Sequence, residues 1–156
     1  QTALTGLGQA TSTLASRGAV TAEGVQLPNP IVLNLKFRLT NAAGNESVGL
    51  APSNTLVTFY DENNQVTLAH LDDVETPDSG DTFWYHTWVL GSGDSVEPGE
   101  VVEFTVDVGA MSTADGGSST LGPNTTFKVE IIPAEGAVVV LGRTTPLEIT
   151  SVMDMD

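Results

Sequence analysis

The chain contains no cysteine in 156 residues. A disulfide framework, a thiolate metal site and a cysteine nucleophile are therefore excluded, and cysteine usage gives no information on the redox compartment. Basic residues are also scarce, because five lysines and arginines stand against twenty aspartates and glutamates, for a formal net charge of −15. A polyanion of this kind repels phosphate groups, so neither nucleic acid nor an anionic membrane surface is expected as a partner.

Long apolar runs are absent as well, since no stretch approaches the roughly 20 apolar residues of a membrane-spanning helix. No signal peptide is visible. The chain starts at Gln1 rather than at a methionine, and we therefore expect a processed or trimmed protein. The simplest interpretation of its acidity is a solvated surface that resists aggregation; a high-salt habitat and loops that hold divalent cations are the alternatives.

Catalytic motifs are also missing. The two histidines, His70 and His86, lack the HExxH spacing and fall in strand-like stretches, so we interpret each as a surface or internally satisfied side chain. There is no P-loop lysine and no G-x-S-x-G motif, and the two glycines of GLGQAT follow no strand. A metal-dependent hydrolase would need ligands that the sequence does not assemble. We therefore predict that the protein is not an enzyme.

Strand patterns dominate the chain after its first residues. Apolar and polar residues alternate in several segments, as expected of strands with one buried face. The predicted inward residues are Ile31, Leu33, Leu35, Phe37 and Leu39 in the first long segment, Val102, Phe104, Val106 and Val108 in the second, and Phe127, Val129 and Ile131 in the third. The turn at residues 61–64 predicts a hairpin. About eight regularly spaced strands predict one all-β domain, an immunoglobulin-like antiparallel β-sandwich.

The first residues follow a different period. Leu4, Leu7, Thr11 and Leu14 recur at steps of three, four and three, which is the spacing of a helix seam. The rest of the chain offers no second helix, so the seam needs a partner on another chain. The alternative is that these leucines fold back onto the sandwich itself. We predict that residues 1–17 end a helix and that residues 18–156 form the sandwich.

The hairpin turn carries a candidate cation site. Its oxygen-bearing side chains alternate as in the first half of an EF-hand loop, but the sixth position is a valine where an EF-hand needs glycine. A structural Ca²⁺ or similar divalent cation held between this turn and the acidic loops is one interpretation, and an ordinary hydrated turn is the other. The candidate ligands are Asp61, Asn63, Gln65, Asp81 and Asp94.

Two sequons fall in predicted loops. Asn45 begins Asn-Glu-Ser, and Asn124 begins Asn-Thr-Thr. Both match the N-x-[ST] acceptor pattern of N-glycosylation. Asn45 and Asn124 are therefore candidate glycosylation sites, which would make the protein a glycoprotein.

Three stretches, taken in order, resemble the archaellins, the filament subunits of the archaeal motility organelle. GLGQATSTLASRGAVTAEG is similar to the family's passage from its N-terminal helix into the first strand. WYHTWVLGSGDSVEPGEVVEFTVDV is similar to a central strand, its Gly/Asp-rich turn and the Glu-Pro-Gly-Glu step. TTFKVEIIPAEGAVVVLGRTTP and the tail ITSVMDMD resemble the last two strands and the terminal segment. Archaellins begin with a continuous apolar segment, and Gln1 starts beyond it.

The resemblance implies an extracellular structural subunit of the archaellum. The subunit would polymerise with copies of itself or with paralogous subunits through its N-terminal helix, with the sandwich on the filament surface. Leu4, Leu7 and Leu14 would then be the last turns of the filament-core seam, and the chain as printed would be a monomer that does not bind membranes. The alternative is a sandwich-type binding module, such as a stator-like accessory protein that binds the surface layer.

Overall fold

The computed structural model describes residues 14–26, 28–41, 46–73, 82–109, 111, 120–134 and 138–155. Within them lie twelve strands: β1 (Leu14–Ser16), β2 (Thr21–Val25), β3 (Ile31–Asn41), β4 (Val48–Gly49), β5 (Leu56–Asp61), β6 (Gln65–His70), β7 (Phe83–Leu90), β8 (Ser95–Val96), β9 (Val101–Asp107), β10 (Thr126–Ile132), β11 (Val139–Thr144) and β12 (Val152–Asp154). Two single 3₁₀ turns occupy Pro52–Asn54 and Leu71–Asp73. Eight of these strands have five or more residues, which agrees with the number expected from the sequence.

Strands β4 and β8 pair with each other in a small two-stranded sheet, and the other ten strands form two larger sheets that are joined at one corner. One sheet has the order β11-β10-β5-β6 and the other has the order β7-β9-β3-β2-β12, with β1 also paired to β3. The corner is a short parallel pairing of β6 with β7, in which Ala69 lies beside Phe83 and His70 beside Trp84. The other ladders within these sheets are antiparallel. The predicted all-β antiparallel sandwich is confirmed, with this one parallel corner as an addition.

A single apolar cluster fills the space between the sheets. It contains inward residues of β3 and β9 from one sheet and of β5 and β10 from the other. Phe37 stacks on Phe104 with ring centres 5.7 Å apart, and Phe59 stacks on Phe127 at 5.9 Å. The inward residues predicted for β9 and β10 are all buried, as are the predicted inward residues of β3 from Leu35 onward.

Among the described residues, no helix has the length and apolar character that crossing a membrane would require.

The first part of β3 differs from the prediction. Ile31 and Leu33 were expected to point inward, but both are only partly buried, whereas Val32 is fully buried. The cause is a β-bulge, because the pairing with β2 shifts register between Glu23 and Gly24. A bulge places one extra residue in one strand and turns the side chains before it to the opposite face.

The N-terminal segment also differs from the prediction. Leu14 lies in strand β1 and pairs with Asn41 of β3, so the helix predicted to run through residue 17 is wrong at residues 14–16. Leu14 is 3% exposed and belongs to the sandwich core. Pairing with a free edge of β3 and burial of a leucine outweigh a weak helical period in a segment of small polar residues. Leu4 and Leu7 lie outside the described residues.

Strands β1 and β2 lie along the same edge of β3. Ser16 pairs with Leu39 and Thr21 with Lys36, so four residues of the first segment span a step of only two residues in β3. Arg17 still donates its backbone N–H to the Arg38 carbonyl at 2.9 Å and Val20 is buried, so the extra residues form a bulge at Gly18 and Ala19. Gly18 at the bulge has φ +82°, a left-handed conformation that glycine adopts without the steric cost of a Cβ atom. This bulge forms one wall of a surface groove.

Candidate functional site

Asp61 closes the β5–β6 hairpin with its own carboxylate. Its Oδ1 accepts hydrogen bonds from the backbone N–H groups of Asn63 at 2.8 Å and Asn64 at 2.7 Å. The Asn64 side-chain amide lies 2.9 Å from Oδ1 and 2.8 Å from Oδ2. A carboxylate that accepts several N–H bonds in this way holds a tight turn in place. This geometry is that of an ordinary hydrogen-bonded turn. Such a turn was the alternative to a cation site in the sequence analysis.

The other candidate ligands do not gather around Asp61. Gln65 begins β6, whereas Asp94 follows the far end of β7, where its backbone carbonyl accepts the Leu50 N–H at 2.6 Å. Since β6 and β7 run parallel with His70 beside Trp84, Gln65 and Asp94 lie at opposite ends of this pair, roughly 30 Å apart along the strands.

The structure therefore does not bring Asp94 to the Asp61 turn, and help from Asp81 stays a prediction. The separation of Asp94 from this turn follows from the corner pairing, which the local sequence does not encode. Asp81 lies outside the described residues. In the part of the chain that the structure describes, no three acidic or histidine side chains are grouped as metal ligands.

One sequon lies on the described surface. Asn124 is exposed in the turn before β10, at φ 49°, and its backbone N–H donates to the Pro146 carbonyl at 3.0 Å. The hydroxyl of Thr126, the third sequon residue, lies 2.8 Å from the hydroxyl of Thr144. The Asn124 position is thus accessible to a glycan, and its use remains a prediction. Asn45 lies outside the described residues.

The two histidines lie in a row of aromatic side chains. His70 is buried, its Nδ1 accepts the Asp72 N–H at 3.1 Å, and its ring meets Trp84 edge-on at 4.6 Å. This confirms the interpretation of His70 as an internally satisfied side chain.

His86 is different, because its buried Nδ1 has no hydrogen-bond partner among the described residues. Its ring contacts Trp84, Trp88 and Phe104. Burial lowers the pKa of His86 below 6.5, and the nearby His70 lowers it further.

A groove that gathers basic side chains was not predicted from the sequence. Arg17, Lys36 and Arg38, three of the five basic residues of the chain, line a cavity of about 520 Å³. We call it the basic groove; its other walls include Glu103 and the apolar side chains Val89 and Leu90. The signal in the sequence was the Lys36/Arg38 alternation on the polar face of β3. Arg17 joins them only because of the bulge between β1 and β2.

Two of the three groove cations are already paired. The Lys36 ammonium lies 3.1 Å from Glu23 Oε1, which raises the pKa of Lys36 and lowers that of Glu23. Arg38 Nε donates to Glu103 Oε2 at 3.3 Å. Arg17 is exposed and makes no ion pair with any carboxylate in the described ranges. The groove therefore offers one uncompensated guanidinium beside exposed apolar surface.

Comparison with known proteins identifies a family. The chain matches the sequence profile of archaeal-type flagellin over residues 1–143. A curated relative, the probable flagellin 2 of Archaeoglobus fulgidus, is 31% identical over 116 residues, which is 74% of this chain and 53% of the relative. The chain thus spans about half the length of the curated relative that it matches.

Two solved structures share the fold. The archaeal flagellin FlaB1 from Methanocaldococcus jannaschii superimposes with a TM-score of 0.69 at 16% identity, over 91% of this chain and 95% of the other. The archaeal flagellum of Methanospirillum hungatei strain JF1 gives a TM-score of 0.66 at 20% identity, over 99% of this chain and 77% of the other. At these identities the likeness establishes a common sandwich.

Proposed function

The chain belongs to the archaeal-type flagellin family, and from that premise we propose that it forms the outer domain of an archaellum filament subunit. The observation that carries the proposal is the family match, which covers residues 1–143 and so includes most of the sandwich and the segment before it. The subunit would be extracellular and would assemble with copies of itself or with paralogous subunits. Its role would be structural.

The sandwich suits the outer surface of such a filament. A net charge of −15 keeps an exposed domain solvated, and a glycan on Asn124 or Asn45 would add to that. The described surface of Asn124 is compatible with this modification.

The burial of Leu14 indicates that the N-terminal segment has two parts with different roles. Leu14 packs into the sandwich, so it anchors the domain instead of facing a neighbouring helix. We propose that Leu4 and Leu7 belong to the assembly helix and that the helix ends before β1.

Labelling of intact cells tests this proposal. Antibodies raised against the 156-residue chain are bound to cells of the source organism and located with gold particles by electron microscopy. Labelling along the whole length of the motility filaments is expected. Labelling confined to the cell envelope at the filament base would contradict the proposal and would favour the stator-like alternative.

A further inference from the structure

The basic groove differs from the rest of the molecule in charge. The two basic residues outside it, Lys128 and Arg143, lie on the other sheet, and the chain carries twenty acidic residues. Beside the uncompensated Arg17, the groove exposes Val89 and Leu90, which are 47% and 61% accessible. An exposed apolar patch next to a cation is a surface that a protein partner covers. A complementary partner carries a carboxylate next to an exposed apolar side chain.

The chain itself presents such a feature at the turn of residues 147–148. Leu147 is 81% exposed, more than any other large apolar side chain in the described residues, and exposed Glu148 follows it. The turn is held from both sides. Thr145 is buried and donates its hydroxyl to the Gly122 carbonyl at 2.7 Å, and Ile149 is buried in the core. A preorganised turn loses little conformational entropy when it is bound.

The Glu148 carboxylate has a weak partner within its own chain. The Gln26 side-chain amide donates to it at 3.3 Å, and no lysine or arginine in the described ranges forms an ion pair with it. Exchange of this long neutral contact for the Arg17 guanidinium would gain a charge-assisted hydrogen bond.

The turn cannot reach the groove of its own molecule. Gln26, which touches Glu148, follows β2 near Ile31, at the start of β3. Leu90 of the groove pairs with Val101, which pairs with Thr40 near the other end of β3. The two ends of that strand are roughly 30 Å apart. A contact between turn and groove therefore joins two molecules, and it joins different surfaces of each.

We propose that the basic groove of one copy binds the Leu147 and Glu148 turn of a second copy, with Glu148 on Arg17 and Leu147 on Val89 and Leu90. The contact rests on the proposed filament function and deepens it, because a heterologous head-to-tail contact that does not close generates an open chain of subunits. The sheets of successive copies would follow one another along the strand direction.

Disulfide trapping tests the contact. The chain has no cysteine of its own, so the introduced cysteines are the only ones that can form disulfides. Leu90→Cys and Leu147→Cys are made in separate, differently tagged copies of the 156-residue chain and are mixed under mild oxidation. Salt of about 0.1 M shortens the Debye length to roughly 10 Å, which screens the overall repulsion but preserves close pairs. The mixed 90–147 dimer is expected to form roughly tenfold faster than either like-with-like dimer. Val140→Cys, on the exposed face of the other sheet, is the control cysteine and should show no such preference.

Charge reversal then identifies the ion pair. Arg17→Glu should slow the mixed cross-link roughly tenfold, and the addition of Glu148→Arg on the other copy should restore it. Arg143→Glu changes the net charge by the same amount outside the groove and should leave the rate unchanged. Equal rates for all cysteine pairs, or equal effects of Arg17→Glu and Arg143→Glu, would overturn the proposal and leave the groove to a different acidic partner.

The outcome is distinguishable from that of the filament proposal. If gold labelling covers the filaments but the 90–147 cross-link has no preference, the filament function stands and this contact fails. If the cross-link forms with its charge dependence but filaments are unlabelled, the contact stands as self-association of a protein with another role.

Discussion

Phe37 and Phe104 are register partners across β3 and β9, and their rings stack 5.7 Å apart with an angle of 9° between the planes. Trp84 of β7 continues the stack, with its ring 5.6 Å from that of Phe104. Three neighbouring strands thus contribute one layer of aromatic rings to the core. Because Phe104 touches both of the others, it is the residue on which this layer depends.

Phe104→Ala should therefore lower the free energy of unfolding by roughly 3–5 kcal/mol, the range for truncation of a buried aromatic residue. Urea denaturation of the 156-residue chain measures the change. Val140→Ala, at an exposed position of β11, is the matched control and should stay within about 0.5 kcal/mol of the parent chain. An unchanged midpoint for Phe104→Ala would mean that the inward register of β9 is wrong.

The Asp61 turn leads to a second prediction. Asp61→Ala removes the acceptor of three N–H donors and should cost roughly 1.5–3 kcal/mol of unfolding free energy, as for hydrogen bonds to a charged group. Glu62→Ala is the control one residue later in the same turn; the Glu62 side chain is exposed and forms no hydrogen bond or ion pair with the described residues, so this substitution should be close to neutral. If both substitutions lowered the unfolding free energy equally, the cause would be the removal of a negative charge and not the loss of the hydrogen bonds to Asp61.

Calcium distinguishes the turn from a cation site. If the turn bound Ca²⁺, free Ca²⁺ at a concentration a hundred times the dissociation constant would stabilise the folded protein by about 2.7 kcal/mol. Because the Asp61 oxygens already hold the turn, we expect calcium chloride and sodium chloride at matched ionic strength to raise the melting temperature by similar amounts, through screening of the net charge. A calcium-specific increase that Asp61→Asn abolishes would restore a cation site at this turn.

His86 makes stability depend on pH. Its pKa in the folded protein lies below the unfolded value of 6.5, chiefly because burial disfavours the charged ring. Between these two pKa values the unfolded chain binds the proton and the folded chain does not, so stability falls as the pH drops below about 6.5.

His86→Phe should remove this part of the pH dependence. Unfolding curves recorded between about pH 7.5 and pH 5 measure it, since carboxylates add their own titration below that range. The parent chain should lose stability across this interval more steeply than the variant. Parallel profiles would show that the folded protein accommodates the imidazolium.

At low salt the 156-residue chain should not form regular filaments by itself. It has no apolar run of about 20 residues, and copies that each carry a net charge of −15 repel one another at low salt. Electron microscopy and light scattering of the purified chain measure assembly. Regular filaments from this chain would show that contacts between sandwiches are sufficient for polymerisation.

Strands could be predicted from the sequence where a local pattern sets their register, and could not where a neighbouring strand sets it. Strands β9 and β10 were predicted correctly because each carries its own period-two pattern. The start of β3 was not, because its register is set by the bulge opposite Gly24 in β2. A side chain there would meet Ile149 Cγ2 at 2.5 Å and the Ile31 carbonyl oxygen at 2.9 Å, so the glycine was the available signal.

The surface sites were harder to predict for a related reason. The outward face of Lys36 and Arg38 followed from the alternation in β3, but Arg17 reaches the same groove only through the bulge after β1. The separation of Asp61 from Asp94 likewise follows from two parallel residue pairs at the corner between the sheets. Contacts between segments distant in sequence decide both, and local patterns do not contain them.

Strand β1 also determines how the sandwich is held mechanically. Leu14, Ala15 and Ser16 run antiparallel to the last residues of β3, with Leu14 anchored in the core. A pull on the chain at Leu14 along the strand axis loads the hydrogen bonds of this ladder together, in shear, whereas a perpendicular pull would break them one after another. In the proposed filament, drag on this domain would reach the residues before Leu14 through this three-residue ladder, which would make β1 the tether of the domain.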